Sequence, residues 1–274
     1  MQYPFVYISA LMRTGSTLTS EIVTELPFSY IFREPHIGKN DFQLKPGDDE
    51  LIQQQFGVDL PALLGWRRTC AFLQRRLQGL HYRQDYMVRV LKERILPRLN
   101  NGNIQIGVKE ITHQGWQNYY RHFPNMKVIM LGRDPRDIYL SMVYRRQREG
   151  AYKKYDLESP AAITQVLNYQ FQLQKALYEQ AGGLLVTYED LSHKPQLPQQ
   201  ILTFIESPLA APGEVGMFLR KHPQRLKEYA QHAGKITQSS RHRWQNEPDK
   251  RLVEMATAVF ARMPAYCEFW GYEK

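Results

Sequence analysis

The chain has 274 residues, is 43% hydrophobic and carries a formal net charge of +9, with an isoelectric point near 9.4. That length and apolar content are enough to bury a sizeable core, as one domain with an insertion or as two small domains. Cys70 and Cys267 are too few and too far apart for a disulfide framework or a zinc site. The absence of a membrane-length apolar run or a basic-then-apolar leader sets the expectation of a cytoplasmic chain without a span.

The positive charge suits nucleic acid, a membrane surface or polyanionic small molecules. It is spread in short groups (Arg67-Arg68, Arg75-Arg76, Arg145-Arg146, Lys153-Lys154, Arg241 to Arg243) among 27 acidic residues, as on solvated helix faces. No helix-turn-helix, zinc-finger or RNP signature accompanies it, so nucleic acid is not the expected partner.

In chain order, Phe5 to Ser9 is a β-branched and aromatic run that predicts a buried strand. The loop after it closes on Arg13-Thr14-Gly15-Ser16-Thr17. Leu18, Ile22 and Leu26 then recur at helical spacing until Pro27 stops them. A strand, a glycine turn and a helix start aim backbone N–H groups at one point, where an anion is favoured. Nucleotide triphosphatases of the P-loop type place a Lys directly before the Ser or Thr, to reach the outer phosphates. Here Gly15 precedes Ser16, and Arg13 supplies the charge from two residues before the glycine.

Phe28 to Phe32 predicts a second strand, and residues 38–61, polar and rich in Gly, Pro and Asp, predict a loop. Residues 62–99 read as helices, with Leu63, Leu64, Cys70, Leu73, Leu77 and Leu80 on one apolar side and Val88, Leu91, Ile95 and Leu99 on another. Strands follow at 104–108, 127–131 and 184–187, and helices at 113–123, 135–149 and 160–180. Short apolar strands alternating with helices predict an α/β fold, with a mainly parallel sheet covered on both faces. Residues 40–100 form a helical insertion able to lid the site, within a single domain spanning 1–274.

Arg133-Asp134-Pro135-Arg136-Asp137 follows the strand at 127–131. Asp134 reads as an N-cap, Pro135 suits the first helical position, and Asp137 stands where a capping-box acid would. Arg133 therefore emerges at the carboxyl end of a strand, where open α/β sheets bind ligands, and Ser141 lies two helical turns beyond the cap.

These residues resemble the sulfotransferase family, which uses 3′-phosphoadenosine 5′-phosphosulfate (PAPS) as donor. Arg13 to Thr17 is similar to its 5′-phosphosulfate loop, with Leu18 the last of the backbone donors. Arg133 and Ser141 resemble its 3′-phosphate motif. Leu185 to Leu191 is similar to the segment whose Tyr, here Tyr188, lies near the adenine. Arg241-His242-Arg243-Trp244 resembles the basic element that closes over the nucleotide, and Gly271-Tyr272 an ending common in the group. The resemblance implies a P-loop-like sulfotransferase architecture that binds PAPS, releases 3′,5′-adenosine bisphosphate and uses no metal.

The reaction so implied is in-line sulfuryl transfer to a hydroxyl or amine, which requires a base and a group that stabilises the leaving oxygen. Lys109 resembles the lysine that assists the leaving group. Members with Lys-x-His carry a base two residues later, where this chain has Ile111. Glu34, which lies about where other members place a catalytic Glu, is the favoured base; His36 comes next, then Glu110 or His113. A small-molecule kinase or another P-loop-type nucleotide enzyme is the alternative, with a polyanion-binding module third. The acceptor is left open: a glycan if basic residues at 35–100 and 145–160 line its site, a phenol or lipid if Trp66, Phe72, Tyr82 and Tyr86 do.

Overall fold

The computed structural model describes residues 2–37, 47–63, 85–212 and 242–273. Five strands, β1 (Val6–Ala10), β2 (Ser29–Arg33), β3 (Gln105–Glu110), β4 (Lys127–Gly132) and β5 (Leu184–Thr187), pair in the order β2-β3-β1-β4-β5. Every pairing is parallel, with Ser9 beside Glu110 on one side and Met130 on the other. Each strand lies within two residues of its predicted position. Every residue of β1, β2 and β3 is buried, which is why these strands read as apolar runs rather than alternating ones.

The helices are α1 (Ser16–Ile22), α2 (Asp48–Phe56), α3 (Tyr86–Val90), α4 (Trp116–His122), α5 (Pro135–Glu149), α6 (Pro160–Ala181), α7 (Tyr188–His193), α8 (Leu197–Phe204), α9 (Lys250–Ala261) and α10 (Pro264–Trp270). Alternate strand residues point to opposite faces. Val6, Ile8, Ala10, Ile129, Leu131 and Val186 pack with Leu18 and Ile22 of α1 and Ile201 of α8. Tyr7, Val108 and Val128 join Trp116 and Tyr119 of α4, and Phe123 just after it, on the other face. Met130 meets α5, α6, α9 and α10. The aromatic residues of α4 and its C-cap thus serve packing, with Phe123 stacked on Phe5 at a centroid distance of 4.2 Å.

One expectation is corrected. Part of the loop expected over 38–61 is helix α2. The glycines read as loop signals are its ends: Gly47 (φ 85°) precedes it and Gly57 (φ 65°) terminates it. Asp48, Asp49 and Glu50 fill its first turn, where acidic side chains favour the helix dipole, and Ile52 is fully buried. Downstream, Val88, Leu91, Ile95 and Leu99 are all fully buried, as their spacing requires, although α3 widens into a π-helical turn at Leu91–Ile95. Leu64, Cys70, Leu73, Leu77 and Leu80, with Trp66, Phe72 and Tyr82, lie outside the described residues. Among the described residues no helix is long and apolar enough to cross a membrane.

Candidate active site

From β1 the chain leaves toward β2, and from β4 toward β5, on opposite sides of the sheet. The loops after these two neighbouring strands diverge, which leaves a crevice at their carboxyl ends, the usual ligand position in open parallel sheets. Arg13 follows β1 and Arg133 follows β4.

The loop after β1 is fixed from within. Thr14 is fully buried and its Oγ1 donates to the Leu11 carbonyl at 2.8 Å. Gly15 has φ 89°, and a Cβ there would stand 2.7 Å from the Tyr188 ring, so only glycine fits. Ser16 and Thr17 begin α1, whose first turn carries no acidic side chain, unlike those of α2 and α7. Leu18 is buried in the core, so only its backbone can serve a ligand.

Arg13 joins the two halves of the crevice. Its Nε donates to Ser141 Oγ at 2.9 Å, and its carbonyl accepts from an Arg133 terminal nitrogen at 3.0 Å. Burial lowers the pKa of the Arg13 guanidinium; the Tyr152 phenol opposes this, while the charges of Arg145 and Arg133 add to it. Arg133 is buried, its guanidinium carbon 4.3 Å from the centroid of the Tyr188 ring, and Asp137 comes only to 3.8 Å. Its backbone is held by one phenol: Tyr266 accepts from the Arg133 N–H and donates to the Arg133 carbonyl, both at 3.0 Å.

Asp134 is the N-cap of α5, accepting from the Arg136 N–H at 2.8 Å. The capping-box expectation for Asp137 is corrected. The Asp134 N–H goes to Glu189 at 3.2 Å, while Asp137 accepts from the Trp244 N–H at 3.1 Å. Burial pushes the Asp137 carboxyl up to about 6, outweighing the pull of the neighbouring Arg133 cation. Trp244 lies 3.8 Å from the Arg136 guanidinium carbon, which Phe260 flanks on its own side at 4.1 Å. Arg243 stands over Tyr144 at 5.4 Å. Trp244 thus backs the start of α5 and Arg243 its later turns; Arg241 lies outside the described residues.

The ends of β2 and β3 carry the second group. Buried Lys109 donates to Glu34 in a short ion pair, and the Glu34 N–H donates to the Lys109 carbonyl at 2.6 Å. Arg33, the neighbour with which Glu34 might have paired, binds Glu21 instead at 3.1 Å. The Glu110 carboxylate accepts from the His36 N–H at 3.0 Å and from Tyr119 at 3.3 Å. His113 is fully enclosed, with Ser9 Oγ at 3.4 Å and the Ala10 carbonyl at 3.1 Å on its two ring nitrogens. Arg13, Glu34, His36 and His113 all have positive φ, between 52° and 68°. Such strain in non-glycine residues concentrates at functional sites.

Reading the sequence alone misses Arg145, Tyr152, Glu189 and Tyr266. Arg145 had a signal: Asp137, Ser141 and Arg145 recur at i, i+4, i+8 and share a helix face. Tyr152 and Tyr266 had none, because only the folded chain brings them to Arg13 and Arg133.

Residues 4–235 match the model of the sulfotransferase domain family. The fold is shared with a sulfotransferase from Alicyclobacillus acidocaldarius, at 14% identity over 99% of this chain and 97% of that one, with a TM-score of 0.54. It is shared too with the sulfotransferase domain of the Synechococcus PCC 7002 olefin synthase, at 17% identity over 94% of each chain and a TM-score of 0.56. Sulfotransferase STF9 from Mycobacterium avium aligns at 13% identity over 99% of this chain and 78% of that one, with a TM-score of 0.53. No curated protein sequence matches the chain. With the family model spanning most of its length, the chain belongs to the sulfotransferase domain family.

Proposed function

We propose that the chain transfers a sulfuryl group from PAPS to a hydroxyl or amine of a small-molecule, glycan or lipid acceptor. One observation carries this reading: Arg13 ties Ser141 and Arg133 into a single crevice in which Tyr188 lies between Arg133 and Gly15. A donor with a nucleoside and two separated anionic groups needs two cationic ends and an aromatic surface between them. The N–H groups of residues 14–18 and Arg13 take the 5′-phosphosulfate, Arg133 and Ser141 the 3′-phosphate, and Tyr188 the adenine side. Arg243 and Trp244 act from behind, through Tyr144 and through Arg136 and Asp137. Lys109 stabilises charge on the leaving oxygen, and a side chain of the Glu34–His36 segment takes the acceptor's proton.

The test is calorimetric titration with 3′,5′-adenosine bisphosphate and, in parallel, ATP, each with and without magnesium. Metal-independent binding of the bisphosphate, weakened in Arg133→Ala, is the expected result. Preference for magnesium-ATP would replace this reading with a kinase.

A further inference from the structure

Two side chains compete for the base within that reading, and the structure treats them differently. The Glu34 carboxylate is spent on Lys109. Pairing with a buried ammonium stabilises an ionised carboxylate and so weakens it as a proton acceptor. His36 stands apart from that pair. Its ring Nδ1 lies 3.4 Å from Glu110 Oε2, within ion-pair reach, and neither buried atom has a hydrogen-bond partner. The other Glu110 oxygen takes the backbone N–H of the same histidine, so one carboxylate grips His36 at two points. That grip holds His36 at φ 53°, a conformation a free loop histidine rarely adopts. The Glu110 side chain is 5% exposed and that of His36 20%, so the carboxylate is the inner member and the imidazole the outer one.

We propose that Glu110 and His36 form a carboxylate–imidazole dyad in which Glu110 is the positioning residue and His36 the base. Glu110 holds the proton on Nδ1, which leaves Nε2 with its lone pair for the acceptor. As the acceptor oxygen bonds to sulfur, its proton passes to Nε2. The bond from sulfur to the bridging oxygen breaks, and its electron pair stays on the departing phosphate. The imidazolium formed is stabilised by Glu110 and later returns its proton to water. Lys109 and Glu34 remain a pair beside it.

The groups around the dyad fit this assignment. Lys109 comes from β3, Tyr119 donates to Glu110 from α4, and Tyr7 faces Glu110 from β1. Burial first, and the Glu110 charge second, push the Tyr7 phenol well above its ordinary range, so it stays a neutral neighbour. The proposal rests on the PAPS reading, and bisphosphate binding separates the two: that reading fails if the bisphosphate does not bind, whatever His36 does.

The first test needs no acceptor. Long-range nitrogen–proton NMR of the imidazole-labelled full chain with bisphosphate bound, assigned through His36→Gln, should show His36 protonated on Nδ1 and bare on Nε2. Glu110→Gln should lose that single tautomer while still binding bisphosphate. An Nε2-protonated His36, or a tautomer indifferent to Glu110→Gln, would overturn the dyad. The second test uses labelled PAPS with a series of phenols and alcohols. His36→Gln should lose on the order of 10²–10³-fold in kcat, more than Glu34→Gln, with the acidic limb of its pH–rate profile gone. Glu110→Gln should lose on the order of 10-fold to 100-fold with that limb displaced. A Glu34→Gln enzyme that loses more, and loses the limb, would return the role to Glu34.

Discussion

The two halves of the crevice hold charge in opposite ways. Around β1 and β4, half-buried Arg13 has hydroxyl partners, Ser141 and Tyr152, and Arg133 keeps its carboxylate Asp137 at 3.8 Å. Around β2 and β3, Lys109 closes on Glu34, Arg33 on Glu21, and His36 on Glu110. The first half turns its two strand-tip cations on hydroxyl, carbonyl and aromatic partners, while Arg136 and Arg145 behind them pair with Asp134 and Glu149 at 2.8 Å each. The second sets a carboxylate against each cationic or imidazole side chain, as the proposed proton transfer would need.

That contrast breaks first at Arg13. Arg13→Ala should lower sulfuryl transfer by on the order of 10³-fold, since the cation nearest the 5′ loop is lost in a site shielded from water. Turnover of labelled PAPS checks it, and a loss under 10-fold would detach Arg13 from the chemistry. Next comes Asp137, raised to about 6 by burial. A carboxyl whose folded pKa lies above its unfolded value contributes stability below about pH 4, and loses it as pH rises through about 6. Urea unfolding across that window should show Asp137→Asn lacking a slope on the order of 3 kcal/mol that the parent has; parallel curves would refute the burial argument. Arg133→Ala should weaken bisphosphate binding by about 2–3 kcal/mol, the worth of a charge-assisted phosphate contact, and leave ATP binding nearly unchanged. Ser141→Ala is the mildest, at about 1 kcal/mol, because one neutral hydroxyl is removed. If Ser141→Ala costs as much as Arg133→Ala, the hydroxyl's main task is to hold Arg13.

What was legible in the sequence follows from what is local. The five strands were readable because buried parallel strands are continuous apolar runs, and Asp134 because a cap acts within two residues. Helix α2 was hidden because glycines at helix ends look like loop glycines, and its polarity masked the buried Ile52. Asp137 misled for a subtler reason: the spacing suited a capping box, but Glu189, 55 residues away, reached the Asp134 N–H instead. Of the two candidate bases, no spacing rule could show that Lys109 takes Glu34 and Glu110 takes His36, since both pairings span two strands.

The hold of Tyr266 on Arg133 has a consequence for the order in which the molecule is made. Both backbone groups of Arg133 close on a phenol 133 residues further along, and Arg136 closes on the carbonyl of Glu273 at 3.1 Å. All five strands are complete by Thr187. A growing chain therefore has every strand synthesised before Tyr266 exists to hold the tip of β4, so the placing of Arg133 waits for α10. The last helix is the one that sets Arg133.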